Sequence, residues 1–162
     1  LDIAHRGLVV HGNYLAAADW DFLARRAERM AVVYCPRTHD YFGHPPYPLA
    51  AMLRCGVRVA VGTDSRASNP DLSLWEELRT VARRHPQVAP DRILRMGTLD
   101  AAAALGCDPE VGSLAPGKRA DLVLIRVNPQ RTTDPHAALW DAEHAVHATM
   151  CGGRLADQRR QQ

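Results

Sequence analysis

Val57-Arg58-Val59-Ala60-Val61-Gly62-Thr63-Asp64-Ser65-Arg66-Ala67-Ser68-Asn69 is the stretch on which the reading of this chain turns. Its first five residues are a short, β-branched, largely apolar run, which suits a buried strand. The run stops at Gly62-Thr63-Asp64-Ser65, a cluster of turn formers. Asn69-Pro70 then reads as a helix start, with asparagine capping and proline in the first helical position, leading into a helix over 72–84.

The same punctuation recurs on either side. Upstream, Gly7–Val10 is an apolar run that ends at His11-Gly12-Asn13. A helical period over 17–30, with Trp20, Leu23 and Ala27 on one face, leads to a second apolar run at 31–35 that Pro36 stops. Residues 37–48 read as a long loop, and Leu49–Arg54 as a short helix closed by Gly56. Downstream, Pro90 opens another helix, and 98–105 a further one stopped by Gly106. Strand–helix repetition of this kind predicts parallel strands with helical crossovers, and runs apolar on both faces predict strands covered on both sides. After Gly106 the texture changes. Strands are expected at 120–127 and 144–150 with a turn at Gly152-Gly153 and no helical period between them, so 107–162 reads as a separate β-rich piece.

Bulk properties exclude more than they assign. A chain of 162 residues that is 46% hydrophobic and 23% charged is an ordinary globular domain. A net charge of +2, with basic residues scattered apart from Arg159-Arg160, argues against nucleic acid and anionic membrane as partners. The apolar runs are too short to span a bilayer, and no signal peptide is visible. Cys35, Cys55, Cys107 and Cys151 form no C-x-x-C pair. That argues against a structural zinc site or disulfide framework and favours a reduced, cytoplasmic setting.

Polar residues just past the C-terminal ends of parallel strands face the active site in folds of this class. Here those positions are His11, the segment Cys35-Pro36-Arg37-Thr38-His39, and Asp64. A histidine nitrogen and an aspartate oxygen from neighbouring strand ends can converge on one ion or one water. Taken singly, each has a bland alternative, a hydrogen-bonded histidine or a turn-forming aspartate. Glu76 and Glu77, on the helix that follows, read as packing or solvated groups.

Taken in order, V-H-G-N-Y-L at 10–15, C-P-R-T at 35–38, V-G-T-D-S-R-A-S-N at 61–69 and G-S-L-A-P-G-K-R-A-D-L-V-L-I at 112–125 resemble the amidohydrolase superfamily, in its aminohydrolase (deaminase) branch. The last motif is the most specific, and the resemblance covers nearly the whole chain. It implies an α/β fold in which 1–106 are the last three β/α units, strands six to eight, of a (β/α)8 barrel of the TIM type. Residues 107–162 would supply strands of a small β-sandwich and the tail. It implies a hydrolase of carbon–nitrogen bonds other than peptide bonds, deaminating a purine-like or nucleoside-like ring. The catalytic residues would be Asp64 and His11. Arg37, Thr38, His39, Ser65 and Asn69 would line the substrate pocket, and Tyr14, Tyr41 and Phe42 are aromatic candidates for stacking on a ring.

The implied cofactor is one divalent metal ion, zinc first and iron second, with Asp64 as ligand and His11 as a second candidate. The family's other ligands, an H-x-H pair and a further strand-end histidine, are missing; His144 and His147 are three apart and fall in the sandwich region. A catalytic zinc normally takes three protein ligands. The chain is therefore expected to be part of a longer enzyme, inactive alone, acting on a small molecule and able to form a homo-oligomer as the full-length protein. The competing expectation is a non-catalytic truncated paralogue, a scaffold or half of a split enzyme. A doubly wound binding module would need a glycine-rich phosphate loop after its first strand, and G-N-Y-L at 12–15 is not one. A nucleobase deaminase of the Cys-and-His type is excluded by the absent P-C-x-x-C.

Overall fold

The computed structural model describes residues 5–128, 134–140 and 146–156. Three parallel strands, β1 (Gly7–Val10), β2 (Met30–Tyr34) and β3 (Val59–Val61), form one sheet in sequence order. Gly7 to Val10 pair with Met30 to Val33, and Val32 to Tyr34 pair with Val59 to Val61. Parallel strands need crossovers, and helices supply them: α1 (Ala17–Ala24) joins β1 to β2, and α2 (Pro36–Tyr41) and α3 (Leu49–Arg54) join β2 to β3. Then follow α4 (Leu74–Arg84), α5 (Pro90–Met96) and α6 (Leu99–Leu105), the last closed by Gly106 in the left-handed region at φ 77°.

The register sorts side chains into two faces. Met30, Val32, Tyr34, Val59 and Val61 point to one side and join Leu49, Met52, Leu78, Val81, Ile93 and Met96 in the main core. Leu8, Val10, Ala31, Val33 and Ala60 share the other side. There Ala31 and Ala60 pack on Ala104 of α6, and their small side chains let the helix come close. Coverage on both faces therefore holds for β2 and β3 but not for β1, where Leu8 and Val10 are 43% and 52% exposed. Among the described residues β1 has one strand neighbour, and α6 packs on the alanines of β2 and β3.

Three local expectations are corrected. The helix expected over 17–30 ends at Ala24, because tight turns through Arg25–Arg29 are needed to deliver Met30 into β2. The loop expected over 37–48 begins as helix α2. Pro36 stops the strand but also occupies the first helical turn, where its missing N–H costs nothing. The helix expected from Asn69-Pro70 begins at Leu74 with Ser73 as its cap, whose hydroxyl accepts from the Glu76 amide. Asn69 lies ahead of that helix, its Oδ1 accepting from the Asp71 amide at 3.4 Å.

The second sheet is antiparallel: β4 (Leu122–Ile125), β5 (Val146–Cys151) and β6 (Arg154–Leu155), with Gly152-Gly153 turning the hairpin. A short helix not expected from the sequence, α7 (Pro135–Ala138), lies between β4 and β5 and is capped by Asp134. Trp140, just after it, meets Trp75 of α4 at 5.5 Å between ring centroids. The G-S-L-A-P-G-K-R-A-D motif is a packing device. Gly112, at φ 87°, sits against the backbone of Thr98 and Leu99, and the Lys118 ammonium donates to the carbonyls of Asp108 and Val111. No helix among the described residues is long and apolar enough to cross a membrane. Residue 144 and the basic pair 159–160 lie outside the described residues.

Candidate active site at the strand ends

Each of the three strands delivers a polar group at its C-terminal end. The His11 amide still donates to Val33, extending the β1 ladder by one bond, before the chain turns through His11 at φ 66° and Gly12 at φ 62°. Asp64, three residues past β3, sits at φ 59°. These two are the non-glycine residues of the described chain with positive φ. Such backbone costs about 1 kcal/mol or more per residue, and it gathers at functional sites where the surroundings hold it in place.

β1 and β3 flank β2, so their axes lie about 10 Å apart. The two turns close that gap over the end of β2: His11 Nε2 stands 3.6 Å from Asp64 Oδ2. Both side chains reach solvent, at 39% and 29% exposure, so the pair is placed to meet a ligand. Asp64 Oδ1 accepts from the Ser65 amide at 2.8 Å, and Oδ2 accepts from the Ser68 hydroxyl at 3.3 Å. Behind it the Thr38 hydroxyl lies 3.0 Å from Ser68, in a buried contact. With Ser68 donating forward, Thr38 must donate to Ser68, which gives a two-hydroxyl relay ending on the carboxylate.

The other residues singled out from the sequence sit around this pair in different ways. Ser65 is exposed beside Asp64. Arg37 makes a two-pronged ion pair with Asp71 at 2.7 and 3.0 Å. Hydrogen bonding from that guanidinium holds the Asp71 carboxyl down to about 2. Asn69 donates to the Thr63 carbonyl at 2.7 Å and to Glu77 Oε1 at 2.6 Å. His39 is buried, with Nε2 donating to the Pro45 carbonyl at 2.9 Å and Nδ1 3.1 Å from the Asn13 side-chain amide. Burial lowers its pKa against the hydrogen bond to Pro45, which raises it, and the atom facing Nδ1 is the Asn13 Oδ1 oxygen, an acceptor. Thus Arg37, Thr38, His39 and Asn69 spend their polar groups on the protein, while Asp64, His11 and Ser65 face outward. Tyr14, Tyr41 and Phe42 are exposed.

Glu77 is the group that sequence reasoning undervalued. It is wholly buried, not solvated, and burial raises its pKa. Its oxygens take Asn69 Nδ2 and the Arg37 amide, at 3.1 Å, with the Arg37 guanidinium 3.6 Å away. One carboxylate so ties the exit of β2 to the exit of β3. Ser68 and Tyr47 also went unremarked; the available signal was the serine–asparagine pair completing G-T-D-S-x-A-S-N. Cys35, beneath Asp64, is no nucleophile: burial and the nearby Asp64 charge push its thiol up to about 12.

As a metal site the constellation is partial. His11 and Asp64 offer a nitrogen and an oxygen of the right chemistry. No group of three or more His, Cys, Asp or Glu residues able to hold an ion occurs among the described residues.

Known proteins resemble this chain over most of its length. Over 154 residues the chain is 40% identical to a 5-methylthioadenosine/S-adenosylhomocysteine deaminase of Desulforudis audaxviator, covering 91% of this chain and 34% of that one. Among solved structures, an adenosine deaminase from Xanthomonas campestris with bound zinc is similar at TM-score 0.79 and 30% identity, over 91% of this chain and 36% of that one. The guanine deaminase of E. coli shares the fold at TM-score 0.78 and 20% identity, over 95% of this chain and 40% of that one. The chain thus spans about a third of the length of the curated relatives it matches. Residues 3–156 match the family described as Amidohydrolase family, and the chain belongs to that family.

Proposed function

We propose that this chain carries one side of the active site of a hydrolytic deaminase, acting on the ring amine of a purine-like or nucleoside-like substrate. The observation that carries the reading is the pairing of His11 Nε2 with Asp64 Oδ2 at 3.6 Å, from two separate strand exits and two left-handed turns. Relatives named for deaminating adenine nucleosides support the reaction class. In this reading β1 to β3 are strands six to eight of a (β/α)8 barrel, and 107–162 contribute to a small sandwich domain.

A divalent cation, zinc first and iron second, fits the donor chemistry of Asp64 with His11 beside it, and the other ligands come from outside this chain. Such an ion supplies hydroxide at neutral pH by lowering the pKa of bound water from nearly 16 to about 7. The work of this chain is to hold and move protons. Asp64 accepts the proton of the attacking water and returns it to the departing amine, so that ammonia leaves. Ser68, donating to Oδ2, and the Ser65 amide, donating to Oδ1, fix the carboxylate plane through that exchange. His11 donates from Nε2 to the oxygen that develops charge. Ser65 meets the substrate directly, and Arg37, Thr38, His39 and Asn69 set the shape of the loops around it.

The test is ammonia release from adenosine, 5-methylthioadenosine and S-adenosylhomocysteine by the complete polypeptide. Release that Asp64→Asn and His11→Ala each reduce by at least about 10²-fold supports the reading. Release that neither change affects sinks it.

A further inference from the structure

The segment 39–47, leading from α2 towards α3, meets the turn after β1 at three points. The Tyr47 hydroxyl donates to the His11 carbonyl at 2.7 Å, His39 Nδ1 lies 3.1 Å from the Asn13 amide, and the Tyr14 hydroxyl lies 3.2 Å from His44 Nδ1. The first contact differs from the others, because it grips His11 itself. Its donor is also the most firmly held. Tyr47 is 6% exposed, its ring lies flat on Tyr34 at 3.9 Å and 9°, and the edge of His39 closes on it at 5.4 Å. Tyr34 is anchored in turn through its hydroxyl, 3.3 Å from His85 Nε2 at the end of α4. Tyr47 cannot shift without disturbing the core.

The backbone of His11 shows what this contact does. The His11 N–H is held by Val33, and the carbonyl by Tyr47. Together they fix the peptide planes on both sides of a residue at φ 66°, and hence the direction of its Cα–Cβ bond. Without the hydroxyl, the peptide on the carbonyl side keeps only the Gly12 N–H bond to the Val10 carbonyl, at 2.9 Å, to hold it. A non-glycine residue then relaxes towards negative φ, which swings the imidazole away from Asp64.

We infer that Tyr47 is a positioning residue for His11, keeping Nε2 opposite Asp64 Oδ2 by holding the strained turn after β1. The inference rests on the reading of His11 and Asp64 as the reacting pair. It gives the 39–47 segment a function that a substrate-lining loop lacks, since polar groups of His39, His44 and Tyr47 meet the β1 turn.

The experiment is a double-mutant cycle on the complete polypeptide, Tyr47→Phe, His11→Ala and both together, read by kcat and KM. Native-state amide exchange of the wild type and Tyr47→Phe gives a second readout that needs no turnover. The expected result is a loss of about tenfold in kcat for Tyr47→Phe, with KM held within about twofold. Tyr47→Phe should cause no further loss in the His11→Ala background. Exchange at the His11 and Gly12 amides should rise about tenfold while Val32 in β2 stays protected. Equal losses from Tyr47→Phe in both backgrounds, or exchange that rises alike in β2, overturn the inference and reduce Tyr47 to general packing. If His11→Ala leaves the rate intact, the reading of the reacting pair falls. Unchanged exchange at His11 and Gly12 would then bring down the clamp as well.

Discussion

The two sheets of this molecule divide its labour. At the C-terminal ends of the parallel strands, hydrogen bonds are dense and the backbone is strained, and a fully buried glutamate links two loops. The antiparallel sheet is thin and half-exposed, with Val123, Leu124 and Val146 open to solvent, and its polar contacts fasten loops. The motif most specific to the family, at 112–125, leads into the second sheet, where it builds a joint and no site. The less specific strand-end motifs carry the groups proposed for chemistry. A family signature marks whatever is hardest to replace, and a tight backbone joint can be as irreplaceable as a catalytic acid.

The contrast can be broken most directly at Asp64. Asp64→Asn keeps shape and hydrogen-bonding length but removes the base, so kcat for ammonia release should fall by about 10³-fold with thermal stability unchanged. An active variant would remove the strand ends from the chemistry. Next is Glu77. Glu77→Ala takes one of two acceptors from Asn69 Nδ2 and strands the Arg37 amide in a buried place, and should cost about 3 kcal/mol in urea denaturation. Glu76→Ala, one residue away in a half-buried i,i+3 pair with Arg79, should cost no more than about 1 kcal/mol. Similar costs for the two would mean that the bridge between loops is idle.

On the other side of the comparison, Gly112→Ala adds a methyl 3.1 Å from the Leu99 backbone at φ 87°. It should destabilise by about 2 kcal/mol, roughly twice the cost of Gly117→Ala, which has the same φ but open space around it. Equal penalties would show that backbone conformation alone, without packing, explains the motif. The smallest effect is on pH dependence. Burial lowers the pKa of both His39 and His85, with Asp40 opposing that shift and Arg84 adding to it in both cases. Their neutral forms are favoured by folding. The stability this gives is complete above the unfolded value near 6.5 and is lost as pH falls below it. The melting temperature should decline from pH 7 to pH 5, and less steeply in His85→Gln. An identical slope in the variant would assign the decline to other groups.

Much of this was legible beforehand. The β-branched runs and their glycine and proline stops announced three strands joined by helices, and the ends of α3 and α6 fell where Gly56 and Gly106 placed them. The errors share a cause. Pro36 and Asn69 each have two uses, and local sequence does not say which applies. Pro36 can end a strand or open a helix. Asn69 can cap a helix or, once Glu77 arrives from a turn further on, hold a loop. Glu77 itself read as a packing or solvated group, because helix position does not reveal what lies opposite.

The sequence by itself determined the three parallel strands and most of their helices, the family, and the two candidates His11 and Asp64, because these depend on residue type and spacing along the chain. Only the tertiary structure decided that the two meet at 3.6 Å over the end of β2, that Glu77 is buried between the exits of β2 and β3, and that Tyr47 grips the His11 carbonyl. The contacts Tyr47–His11, Arg37–Glu77 and His11–Asp64 join residues 36 to 53 positions apart. Their distances are set by how the sheet and its helices pack together, which local patterning does not encode.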